Sequence, residues 1–248
     1  MTLTPSVESM LRSNAQSVRS PLNLRSSLVL LAVLVLVTLL TFGTVVLAIF
    51  LVPGVRQVGP ALLGAVLPVH AALLLLVIHR GLRRAGTGWR ELGFTRPTVR
   101  IFHLLWQIPL VLVALVTVQL LTFAITGDSP APEGGGGVES LVAGTGPLVA
   151  LAVFLGVAIL TPLWEEAIFR GIVHGGLRRR LGRLGASFIS AAIFAAAHGV
   201  PILLPYMVTL GLALALLREF HKTLWAPVIM HALLNSLVTG TLVVSVLT

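Results

Sequence analysis

Long apolar runs separated by short polar segments make up most of the chain. Runs at 28–52, 60–79 and 101–126, and another beginning at Pro147, approach or exceed the ~20 residues a helix needs to cross the hydrocarbon of a bilayer. Shorter runs at 184–199 and 202–217 and a last one at 224–247 bring the total to seven. The two short runs meet at Gly199 and Pro201, which predicts a tight turn or a broken helix buried among its neighbours. The pattern predicts an all-α, polytopic integral membrane helical bundle of about seven to eight transmembrane helices. It divides into a polar tail at 1–26, N-terminal transmembrane helices at 27–146 and a C-terminal transmembrane core at 147–248. The first run is too long for a cleaved signal peptide, and no small-residue cleavage site follows it.

Charge orients the spans. Only 10% of the 248 residues are charged, against ~25% in globular proteins, so most of the chain faces something other than water. The net charge of +9 would suggest nucleic acid in a soluble protein. Here the basic residues sit in short loops, which points to topology and anionic lipid and to no nucleic-acid partner. The tail is basic, as are 80–100, 170–183 and 218–222, whereas 127–146 is acidic and Gly-rich. This alternation predicts a cytosolic N-terminus and, for seven spans, a C-terminus outside. The glycine run 134–137 reads as a flexible external loop, not a phosphate cradle, because no strand precedes it. The absence of cysteine rules out disulfides, thiolate catalysis and Cys-based zinc sites.

Of the eight acidic residues, Glu8, Glu91, Asp128, Glu133, Glu139 and Glu219 fall outside the apolar runs. Glu165 and Glu166 follow an unbroken apolar run, and ionisable groups at membrane depth mark function. Two adjacent carboxylates there need a shared proton or a cation. Arg170, four residues after Glu166 on the same helix face, is that cation. Glu165 points elsewhere, ~100° round the helix. The bland alternative is that both acids neutralise a loop at the membrane boundary. His198 ends an apolar stretch one turn after Phe194, and His231 shares a helix face with Asn235. By helical rise Glu165 lies ~20 Å in from Arg178, His198 ~21–24 Å in from Gly182 and His231 ~10 Å in from Leu224, so all three are at hydrocarbon depth. His70 reads as a hydrogen-bonded packing residue, and His79, His103 and His174 as interfacial. Trp164 reads as a packing or interface residue, and Arg178 to Arg180 as lipid-headgroup contacts.

Glu165-Glu166-Ala-Ile-Phe-Arg170, Phe194-Ala-Ala-Ala-His198 and His231-Ala-Leu-Leu-Asn235, in that order, resemble the signature of the CAAX protease and bacteriocin-processing family (CPBP, or Abi). The flanks Arg170-Gly171, His198-Gly199 and Leu224-Trp225-Ala226-Pro227 are similar too, and Glu91-Leu92-Gly93-Phe94 looks like a segment such proteins carry. The resemblance covers about 147–240. It implies a CPBP-type catalytic core at 147–248 and an intramembrane endopeptidase acting on a membrane-embedded or lipidated peptide, prenylated substrates being the family's best-known class. In the implied mechanism Glu165, with His198, activates a water. His231 and Asn235 stabilise the oxyanion, while Glu166, Arg170 and Phe194 support the site. No cofactor is required in that scheme. The rival chemistry is a zinc ion held by Glu165 or Glu166 with His198 and His231, leaving an open position for water. Two other readings remain: a non-catalytic membrane scaffold or bacteriocin-immunity protein on the same fold, and a proton-relaying transporter, against which the lack of inverted-repeat symmetry argues.

Overall fold

The computed structural model describes residues 20–127 and 145–247, with side chains to 240. Most of the N-terminal tail and of the acidic, glycine-rich loop, including Glu8, Asp128, Glu133 and Glu139, lies outside the described residues. The described residues form helices and no strands. In chain order they are α1 (Leu24–Leu51), α2 (Gly59–Arg84), the short α3 (Trp89–Leu92), α4 (Leu104–Thr126), α5 (Pro147–Phe154), α6 (Thr161–Glu166), α7 (His174–His198), α8 (Leu204–His221) and α9 (Trp225–Leu247). Two π-helical segments, Leu155–Leu160 and Ala167–Val173, join α5 to α6 and α6 to α7.

Among the described residues five helical stretches are long and apolar enough to cross a membrane: Leu24–Leu51, Val55–Arg84, Val99–Thr126, Pro147–His198 and Pro201–His221. The 23-residue α9 follows. Each of the seven apolar runs therefore lies in helix. The fourth and fifth share the 52-residue Pro147–His198 stretch. Unbroken, 52 residues of α-helix would run ~78 Å, more than twice the hydrocarbon thickness. Gly182 breaks it, with φ 67° and ψ −170°, a conformation glycine adopts without a Cβ penalty. The turn expected near Gly199 is present: its φ of 66° ends α7, and a 3₁₀ turn at Pro201–Leu203 starts the return.

The chain packs as two units whose boundaries at residues 27/28, 81/82, 165/166 and 230/231 fall inside helices. One comprises Met1–Ser27, Leu82–Pro130 and Glu166–Met230; the other comprises Leu28–Gly81, Ala131–Glu165 and His231–Thr248. In the first, α8 packs along both α7 and α4. The approach of α8 to α7 is close because Gly211 has no side chain; a Cβ there would stand 2.9 Å from Ala191 Cα. Ser190 Oγ donates to Phe169 O at 2.9 Å, which fixes α7 to the π segment before it. In the second unit Leu30 and Leu34, one turn apart on α1, are buried, whereas Leu28, Leu36, Leu39 and Leu40 are exposed. Such apolar faces on helices of this length belong in lipid, where the tails, not water, cover them. The protein is a multi-pass, all-α membrane protein.

Gly211→Ala is expected to lower stability by about 1–3 kcal/mol, because its methyl meets backbone that cannot move aside. Thermal unfolding of the detergent-solubilised protein measures this. An unchanged midpoint would show that α7 and α8 do not depend on this close approach.

Candidate active site

The local backbone around the two glutamates follows from Pro162. A proline has no N–H to give and cannot continue the α-helical hydrogen-bond ladder. The preceding turn widens, and the Thr161 N–H reaches back five residues to Gly156 O. In an α-helix Thr161 would have bonded Val157 O; in the wider turn the donor would have been Pro162. Val157 O is thus left to a side chain, and Asn235 Nδ2 donates to it at 2.9 Å. The second π segment repeats the pattern, with His174 N–H bonded to Phe169 O. Single π turns of this kind recur at functional sites, where they re-aim side chains.

The second unit brings together Glu165, His231 and Asn235. Glu165 is 7% exposed and His231 is 3% exposed. Glu165 Oε2 and His231 Nε2 lie 3.8 Å apart, ion-pair distance if the imidazole is protonated and slightly long for a hydrogen bond. His231 and Asn235 are four residues apart on α9, as the shared-face argument expects. Asn235 also spends an amide hydrogen on Val157 O, so it acts as a clasp on the π turn.

The first unit holds Glu166, Arg170, Phe194 and His198. Glu166 and Arg170 are fully buried, and Arg170 Nη1 donates to Glu166 Oε1 at 2.8 Å. Arg170 Nη2 donates to Gly211 O at 3.1 Å, and the guanidinium lies 4.4 Å from the Phe194 ring centroid. The arginine is thus held by a carboxylate, a carbonyl and a π face, which offsets much of the cost of burying it. His198 Nδ1 is 2.8 Å from Phe194 O. A carbonyl only accepts, so Nδ1 carries the proton and Nε2 of the neutral ring presents a lone pair. Phe194 also packs against the imidazole at 4.6 Å between centroids. The spacing of phenylalanine and histidine therefore fixes both the tautomer and the orientation of His198.

Among the described residues no three His, Asp or Glu side chains stand together as a metal site requires. No step below is routed through a metal.

A second polar network was not foreseen. Glu219, 4% exposed, takes Arg178 Nε at 2.5 Å and Lys222 Nζ at 3.1 Å, with His174 Nε2 at 3.7 Å. His174 Nε2 is also 3.3 Å from Ser187 Oγ. Sequence placed Glu219 outside the apolar runs and His174 at an interface, yet both are buried, as is Arg218. Their shared signal was Arg178 and Glu219, opposite charges that close only when α7 meets α8. His103 is as expected near a span end, where it accepts from Trp106 Nε1 at 3.0 Å.

A family match falls on the same segment. Residues 147–237 match the family described as type II CAAX prenyl endopeptidase Rce1-like. A Bacillus subtilis (strain 168) protein named "Putative membrane peptidase YdiL" is 32% identical over 81 residues, 33% of each chain. The chain thus spans about a third of the length of that curated relative. No solved structure matches. The family match agrees with the likeness to CAAX-type endopeptidases read from the three motifs, and the relative's name is that of a membrane peptidase.

Arg170→Met should cost about 3–5 kcal/mol, because it strands Glu166 as a buried charge. Asn235→Ala should cost about 1–3 kcal/mol by leaving Val157 O unpaired. Denaturant unfolding in micelles measures both. A neutral Arg170→Met would mean that the pair does not hold this unit together.

Proposed function

We propose that the protein is an intramembrane endopeptidase of the CAAX type, hydrolysing a peptide bond in a membrane-embedded or lipidated substrate with Glu165 as general base. The observation that carries this reading is the buried Glu165–His231 pair, 3.8 Å apart, in a helical, apolar part of the chain. A carboxylate buried at membrane depth is costly and persists where it has work to do. The family match over 147–237 supports the reaction class, and prenylated C-terminal peptides are the substrate class its description suggests.

The chemistry runs through the chain's own groups. Glu165 takes a proton from water as the oxygen attacks the scissile carbonyl. His198, with its proton fixed on Nδ1 by Phe194 O, keeps Nε2 as a proton acceptor. Negative charge then grows on the carbonyl oxygen, and His231 with Asn235 supplies donors to it. Breaking the C–N bond releases an amine, which takes back the proton that Glu165 removed, so one water is consumed and the carboxylate is regenerated. The 3.8 Å separation of Glu165 and His231 is of the kind that tightens when substrate arrives. Glu166 and Arg170 hold the helix and contact no reacting atom. The basic segments 80–100, 170–183 and 218–222 favour a cytosolic N-terminus and a site entered from the cytosolic side.

Glu165→Gln is expected to leave the fold intact and to lower turnover by about 10²–10⁴-fold, the usual weight of a general base. The measurement compares peptide termini in membranes of a host lacking the gene, restored with wild type or with Glu165→Gln at equal abundance. Termini that appear only with wild type identify the substrate and support the assignment. Identical termini in the two strains would instead favour a non-catalytic scaffold.

A further inference from the structure

His70 and Trp164 belong to none of the three motifs. His70, on α2, is 5% exposed, and its Nε2 is 3.4 Å from Thr38 Oγ1. The Thr38 hydroxyl already donates its hydrogen to Leu34 O at 3.0 Å. Its oxygen is therefore left to accept, which puts the proton of a neutral His70 on Nε2 and leaves Nδ1 as a lone-pair acceptor. That Nδ1 is buried and has no hydrogen-bond partner among the described residues. Trp164 Nε1–H can only donate, and it too is buried without a partner among them. The two rings meet edge to face with centroids 6.4 Å apart, and Phe42 packs on His70 at 4.8 Å.

Buried polar atoms are nearly always paired, and within hydrocarbon no bulk water serves as the default partner. One acceptor and one donor on touching rings match the N–H and C=O of a single extended residue, which point to the same side of the backbone. We propose that His70 and Trp164 form a backbone-recognition subsite: Nδ1 of His70 accepts the N–H of an extended substrate residue, and Nε1–H of Trp164 donates to the C=O of the same residue. This deepens the endopeptidase reading and rests on it. A segment unwound for cleavage exposes backbone groups that cost several kcal/mol each when unsatisfied in an apolar medium. A subsite that reads N–H and C=O meets this cost for any side chain.

The test uses the full chain in detergent, ¹⁵N-labelled at tryptophan and carrying Glu165→Gln, titrated with a farnesylated C-a-a-X peptide. The Trp164 indole signal, identified by its loss in Trp164→Phe, should shift saturably, and His70→Phe should weaken that binding about tenfold, the scale of one lost hydrogen bond. No shift overturns the subsite, whatever the turnover. A shift and affinity unaltered by His70→Phe remove His70 from it. In a second arm, wild type turns over the same peptide with each amide outside the scissile bond replaced in turn by an ester, which has no N–H. One position should lose about tenfold in kcat/KM. Equal turnover at every position overturns the proposal without recourse to any variant that might misfold. Indole binding with no turnover of any peptide would keep the subsite and overturn the endopeptidase reading; turnover with no indole shift would do the reverse.

Discussion

The buried pair of Glu166 and Arg170 sets the terms for the helices around it. Neither group reaches water, so each must be satisfied by protein. Arg170 draws on a carboxylate one turn away, on Gly211 O and on the face of Phe194. Each partner adds a demand: α8 must come close enough to lend a backbone carbonyl, and α7 must present an aromatic ring. The close approach at Gly211 and Ala191 meets the first, and the position of Phe194 meets the second. The same phenylalanine then orients His198 through its carbonyl and ring. A residue that supports the structure thereby fixes one that belongs to the proposed chemistry.

Pro162 imposes a comparable demand on the backbone. Its missing N–H widens the turn before it and exposes Val157 O, and α9 meets that carbonyl with Asn235. Asn235 is thereby bound to the turn that leads into Glu165, and His231 on the same face is placed beside that carboxylate. In the proposed reaction this gives Asn235 two tasks, holding the turn and donating to the oxyanion. Its amide carries two hydrogens, and the clasp needs one.

Among the described residues the acidic side chains inside the apolar helices all have basic neighbours. Glu166 has Arg170, Glu165 has His231, and Glu219 has Arg178 and Lys222. The three pairings differ in kind. Arg170 is a guanidinium, which only donates. The Glu165 partner is an imidazole, whose ring nitrogens can donate or accept. That difference fits a supporting role for Glu166 and a chemical one for Glu165.

The periodicity and charge of the chain determined the all-α membrane character, because lipid admits only segments whose backbone bonds are satisfied internally. They also determined the Glu166–Arg170 pair, since residues four apart on one helix must meet, and the face shared by His231 and Asn235 for the same reason. Local signals at Gly199 and Pro201 sufficed for the turn between α7 and α8. Contacts between segments distant in sequence were decided only in three dimensions. Glu219 read as a loop acid because it lies beyond the apolar run; Lys222 is three residues on, but its other partner, Arg178, is 41 residues away. The clasp of Asn235 on Val157 spans 78 residues and exists because a turn widened by proline freed a carbonyl. The pairing of Glu165 with His231 likewise spans two helices. Sequence supplied the groups that cannot stay unpaired in hydrocarbon, and tertiary structure chose which of them pair.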